Sequence, residues 1–105
     1  MNTEIDHLEH RKFFLYQDFV FFWRRAGDEN KVAELVKKHG LKETQKLINH
    51  EHLSFYVTDV AGQKKLAEKL QAAWIKTLEE LFPKYDFIVS AENEGGEFII
   101  TVRNS

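Results

Sequence analysis

The chain has no cysteine among its 105 residues. That excludes disulfides, thiolate metal sites and a cysteine nucleophile, and it fits a cytoplasmic protein. Acid and base nearly cancel, at a formal net charge of −2, so no global field draws the chain to nucleic acid or to an anionic membrane. Long apolar runs are missing too. The longest strongly apolar one, residues 19–23, is far too short to span a bilayer. Residues 1–12 mix charges of both signs and lack an apolar stretch, which argues against a secretory leader. No glycine-rich loop precedes a helix in the manner of a phosphate cradle. With 43% hydrophobic and 30% charged residues, the composition is that of a globular protein and not a disordered one. The length predicts a single domain over residues 1–105.

What is present is concentrated. Seven of the fourteen aromatic residues fall in one eleven-residue stretch: Phe13, Phe14, Tyr16, Phe19, Phe21, Phe22 and Trp23. Arg11 and Lys12 precede it; Arg24 and Arg25 follow it. One face of a helix or a strand cannot bury all these rings. Either the domain wraps the segment on nearly all sides, or some rings meet a partner. Alternation separates nothing within the run, so the spacing is read as a helix over 3–26, opened by a Thr3–Asp6 capping box and closed by Gly27. At 100° per residue, Ile5, Leu8, Tyr16, Phe19, Val20 and Trp23 share one face. His7, His10, Phe14, Phe21 and Arg25 fall on the opposite one.

Further helices are predicted over 29–39, capped by Asp28 and ended by Gly40, and over 42–50, turning Leu47 and Ile48 inward. Residues 53–58 read as a strand with Leu53, Phe55 and Val57 on one face. A long helix capped by Thr58 or Asp59 runs to about Phe82, where Pro83 forbids continuation. Leu66, Leu70, Trp74 and Leu78 mark its buried stripe. Strands over 85–91 and 97–103 flank a turn at Gly95-Gly96, where positive φ is cheap. The predicted class is α+β, in the order α-α-α-β-α-β-β: a small three-stranded sheet packed against two long helices. The sheet's second face carries Ile88, Ile99, Thr101 and Arg103, too apolar to be fully wet.

Chemistry-bearing motifs are sparse. Residues 29–50 resemble a helix-turn-helix in the run from Ala33 to Leu41, with Gly40 in the turn. The second half departs from the pattern, since Lys46 stands where an apolar residue is expected. Lys37, Lys38, Lys42 and Lys46 could touch phosphates, and Gln45 and Asn49 are the few side chains able to read bases. His7 with His10, and His50 with His52, could each share a face, but neither pair matches a metal motif. Residues 92–97 hold three carboxylates around two glycines without the ligand spacing of an EF-hand loop. Ser54, Ser90 and Ser105 lie in no nucleophile elbow.

The sequence therefore predicts no metal, no cofactor, no membrane partner and no catalytic site. It points to a small protein-binding module of the inhibitor, antitoxin-like, immunity-like or adaptor kind. The predicted surface is the outer face of the first helix, with Phe14, Phe21, Gln17, Arg25 and His10, meeting a protein partner or a second copy in a homodimer. The alternative is a nucleic-acid-binding regulator using the helix pair at 29–50.

Overall fold

A computed structural model describes residues 3–105. The elements run α1 (Thr3–Glu9), β1 (Lys12–Tyr16), β2 (Phe19–Trp23), α2 (Asp28–His39), α3 (Leu41–Ile48), β3 (His50–His52), a 3-10 turn (Leu53–Phe55), α4 (Val60–Leu81), β4 (Phe87–Glu94) and β5 (Glu97–Asn104). The class is α+β, as predicted, but with two sheets: a β1-β2 hairpin and a three-stranded antiparallel sheet in the order β3-β5-β4.

The first helix is the main correction. It stops at Glu9, and the aromatic run folds back as a hairpin in which Phe13 faces Phe22, Phe14 faces Phe21 and Leu15 faces Val20. Gln17 (φ 49°) and Asp18 (φ 68°) form the turn, giving the two consecutive left-handed residues that a two-residue hairpin loop needs. The expected Thr3–Asp6 capping box rests on a side chain outside the described residues.

Alternation failed as a strand signal because both hairpin faces are covered. Phe13, Val20 and Phe22 join the main core with Leu8, Leu53, Leu70, Trp74, Ile100 and Val102. On the other side, α3 packs against β2 and α2 against β1. Phe21 and Val32 of α2 are both fully buried and stand apart from that main cluster. Phe14 is half-buried, its ring 5.9 Å from that of Phe21. The two rings share a face as cross-strand partners and not through the helical spacing expected of them, and that face is internal at Phe21. An outward Phe14–Phe21 patch for a homodimer does not exist in this fold.

The register turns the backbone groups of Val20 and Phe22 away from β1, and side-chain amides take the place of a neighbouring strand. Asn49 Oδ1 accepts from Phe22 N (2.9 Å), while its Nδ2 donates to Val20 O (2.8 Å) and Val102 O (3.1 Å). Gln45 Nε2 donates to Val20 O (3.0 Å) and to Asn104 Oδ1 (2.9 Å). Asn104 Oδ1 also accepts from Val20 N (3.1 Å). These three side chains bridge β2 to β5 and join the hairpin to the larger sheet.

The α4 helix follows its pattern closely. Asp59 caps it by accepting from Gly62 N (2.7 Å), and Leu66, Leu70, Trp74 and Leu78 are buried against the sheet. Trp74 Nε1 donates to Leu8 O (2.7 Å), pinning the short α1 to it. Only α4 is long, at 22 residues, so the expected pair of long helices reduces to one. In α3, Thr44 and Gln45 are buried and Ile48 packs against the core as expected, but Leu47 is 52% exposed. The strand expected at 53–58 lies upstream at His50–His52. Leu53 is buried while Phe55 is 79% exposed, so the two share no face. Gly95 and Gly96 make the β4-β5 turn with φ of 62° and 87°.

Candidate functional site

The hairpin brings the two ends of the aromatic run together, and with them the charges that bracket it. In a helix, Arg11 and Arg24 would lie roughly 20 Å apart along the axis. Here Lys12 pairs with Trp23 across the strands, so both arginines stand at the base of the hairpin. Glu51, from the middle of β3, faces them. Arg11 Nη2 makes an ion pair with Glu51 Oε1, and Arg24 Nη2 approaches the same oxygen at 3.2 Å. Tyr56 donates its hydroxyl to Glu51 Oε2 at 3.4 Å. Arg24 Nη1 and Nη2 also donate to Ile48 O, at 3.3 and 3.4 Å.

Aromatic rings support this cluster from below. The Arg11 guanidinium carbon lies 4.6 Å from the centre of the Phe22 ring and 5.9 Å from that of Trp74. Arg24 approaches the same Phe22 ring at 5.2 Å. Arginine is suited to this position because its planar, weakly hydrated head stacks on rings while its edges make hydrogen bonds. Burial pulls the Arg11 guanidinium below its ordinary value, and Glu51 opposes that pull. The Arg11 side chain is 10% exposed, and its buried Nε has no hydrogen-bond partner among the described residues. Two guanidinium groups thus share one carboxylate, and one buried donor is unmet.

The cluster opens on a cleft of about 570 Å³, walled by His7, Arg11, Arg24, Glu51, Phe55 and Tyr56. A second cavity of about 360 Å³ adjoins it through His7, Arg11 and Arg24 and adds His10, Lys12 and Trp23. Lys12 Nζ lies 5.3 Å from the Trp23 ring. Phe55 stands at the rim, 79% exposed, the most exposed large apolar side chain among the described residues.

The residues singled out from sequence scatter. Gln17 is at the hairpin tip, while Arg25 is exposed at the opposite end, next to the cleft residue Arg24. His10 alone of the predicted set lines a cavity of this site. Lys37, Lys38, Lys42 and Lys46 are all exposed, and Lys46 pairs with Glu43 at 3.4 Å. The predicted base readers are internal: Gln45 and Asn49 are buried in the bridge between the sheets. That removes the reading face from the helix-turn-helix resemblance. His50 and His52 do share a face, with ring centres 5.2 Å apart. His52 Nδ1 lies 3.0 Å from Glu97 Oε1, which also accepts from Ser54 Oγ at 2.6 Å. No group of three histidines or carboxylates able to hold a metal ion occurs among the described residues. No helix there is long and apolar enough to cross a membrane.

Sequence reasoning passed over Arg24, Glu51, Phe55 and Tyr56 as site residues. The signal was the pair of charges at each end of the aromatic run, which converge only if the run folds back. No protein family, curated protein or solved structure matches this chain.

Proposed function

We propose that this protein is a non-enzymatic binding module that docks an acidic segment of a partner protein in the Arg11–Arg24 cleft. The observation that carries this reading is the excess of cation: two arginines converge on one glutamate in a cleft of about 570 Å³. Arginine and aromatic side chains are the residue types that dominate interface energetics. Here they lie together: Arg24 at 38% side-chain exposure, Tyr56 in the wall and Phe55 on the rim. Phe55 supplies apolar area at the edge, and the guanidinium groups supply charge selection.

The test is affinity capture with the wild-type chain, Arg24→Glu, Phe55→Ala and the remote control Lys42→Glu. A partner retained by wild type and control should be lost from both cleft variants, each weakened by about 30-fold or more if these are hot-spot side chains. Circular dichroism should show all four chains equally folded. A partner held equally by all four would refute the cleft as the docking surface.

A further inference from the structure

We infer that the cleft and its adjoining cavity take a phosphate monoester, carried on a side chain of the partner protein. This deepens the binding-module reading and rests on it. The argument is one of charge and of donors. Three permanent cations, Arg11, Lys12 and Arg24, line the joined cavities against a single carboxylate, Glu51. The neighbouring carboxylates are already engaged. Glu9 pairs with Lys69 at 3.2 Å. Asp28 accepts from the backbone of Arg24 and Arg25, at 2.7 and 3.1 Å. Within the cavity walls the positive charges exceed Glu51 by two; Asp28 lies outside that lining, and its carboxylate acts on Arg24 and Arg25 together.

A carboxylate would neutralise one of them. A phosphate monoester carries about −1.5 to −2 at neutral pH and presents three strong acceptor oxygens. The donors come from more than one element around the two cavities. Arg24 and Arg11 lie on the shared wall, Lys12 beside Trp23 in the second cavity, and the His7 and His10 rings at the margins. Bidentate guanidinium contacts and a lysine point charge are the usual means of holding phosphate. The aromatic walls, Trp23 and Tyr56 with Phe55 beyond, leave room for the side chain that carries the group.

The experiment is a two-dimensional NMR titration, following the Trp23 indole N–H and the Arg24 Nε–H. The probes are a blocked O-phosphoserine derivative, the matching glutamate derivative, AMP and inorganic phosphate. The phosphoserine derivative should saturate both signals and bind about tenfold or more tighter than glutamate, as expected for an additional charged hydrogen bond. Lys12→Ala and Arg24→Ala should each weaken it by a similar factor, and Lys42→Ala should not. Equal affinity for glutamate would overturn the phosphate inference and leave acidic docking standing. Tighter binding of AMP or inorganic phosphate would overturn the partner side chain as its source. If no anion moves either signal while capture still depends on Arg24 and Phe55, the anion inference falls and the binding module survives.

Discussion

Two polar clusters flank the same hairpin, and they are built to opposite ends. Along the edge of β2, the buried Asn49 and Gln45 and the half-buried Asn104 meet the backbone of Val20 and Phe22 with amide groups, donor to acceptor. At the base of the hairpin, Arg11, Arg24 and Glu51 meet unequally, with two cations to one anion, against an open cleft. A buried polar network in which the members are matched acts as architecture, because any change leaves an unmet group in a low-dielectric interior. A cluster with surplus charge beside solvent has something left to offer a ligand. The hairpin thus has a closed side that fixes it and an open side that can bind.

The largest expected effect tests the closed side. Asn49→Leu removes three hydrogen bonds and leaves Phe22 N–H and Val102 C=O buried without their partner. At about 1–3 kcal/mol for each stranded group, the loss should be about 3–5 kcal/mol. That is a large share of the roughly 5–15 kcal/mol typical of a domain. Urea denaturation gives the number. A loss below about 1 kcal/mol, within the range of ordinary surface substitutions, would show that the amides are not what joins the two sheets.

Next comes the carboxylate of the open cluster. Glu51→Gln keeps the shape and an acceptor but leaves Arg11 and Arg24 facing each other without a counter-charge. Breaking a buried pair costs about 3–5 kcal/mol. Arg24 is more than a third exposed, so solvent screens its share, and about 2 kcal/mol is expected. Thermal melts with and without added phosphate sharpen the contrast. The anion should recover more stability in the variant than in the wild type. Equal recovery would mean that Glu51 does not govern the charge of the cleft.

The two clusters also differ in how they could be read from sequence. The α4 helix, the α2 helix and the β4-β5 hairpin are legible because each is specified locally: a 3.6-residue period with the Asp59 cap, a terminating Gly40, a glycine pair. The cap expected of Asp28 is absent: Gly27 takes that position, and the Asp28 carboxylate turns back to the Arg24 and Arg25 N–H groups. The first hairpin is not legible. Its turn is Gln17-Asp18, without the glycine or asparagine that announces such a loop, and its strands are apolar on both faces because two layers cover them. The amide bridge joins residues as far apart as Val20 and Asn104, so nothing local marks Asn49 as structural, and the sequence offers it equally as a base-reading side chain. The cleft was half visible. The charges bracketing the aromatic run stood out, but their convergence depends on the fold-back, and Glu51 reaches Arg11 from forty residues away. Phe14 and Phe21 do meet, but across a hairpin and not along a helix, and sequence does not tell a covered face from an open one.

A smaller effect on stability separates the roles within the open cluster. Arg24→Ala removes a partly exposed guanidinium while Arg11 still meets Glu51. Such pairs are worth about 0–1 kcal/mol, so the melt should barely change while anion and partner binding weaken by about tenfold or more. Arg11→Ala should cost more, because that side chain is packed over Phe22 and Trp74 and its removal also loses packing. Equal destabilisation by the two variants would erase the distinction between the supporting and the presenting arginine.

The smallest effect lies outside both clusters, where Glu97 gathers Ser54 and His52 on the larger sheet. The Ser54 hydroxyl, then the His52 ring, hold the Glu97 carboxyl below its ordinary value of 4.5. A carboxyl whose folded value is depressed stabilises the fold above its unfolded value, and the contribution fades as pH falls through the lower, folded one. Stability from this contact is therefore present at neutral pH and lost in acid, as pH falls below the ordinary carboxyl value and through the depressed one. Glu97→Gln should lower the melting temperature slightly at neutral pH, and the gap to wild type should close in acid. A gap of the same size at both pH values would mean that the carboxylate charge contributes nothing and only the packing of the side chain matters. The contact is partly exposed, with the His52 and Glu97 side chains at 36% and 33%, so screening keeps it small. It is the third way this chain treats a polar group: neither enclosed among matched amides nor held in excess for a ligand, but left partly open to water.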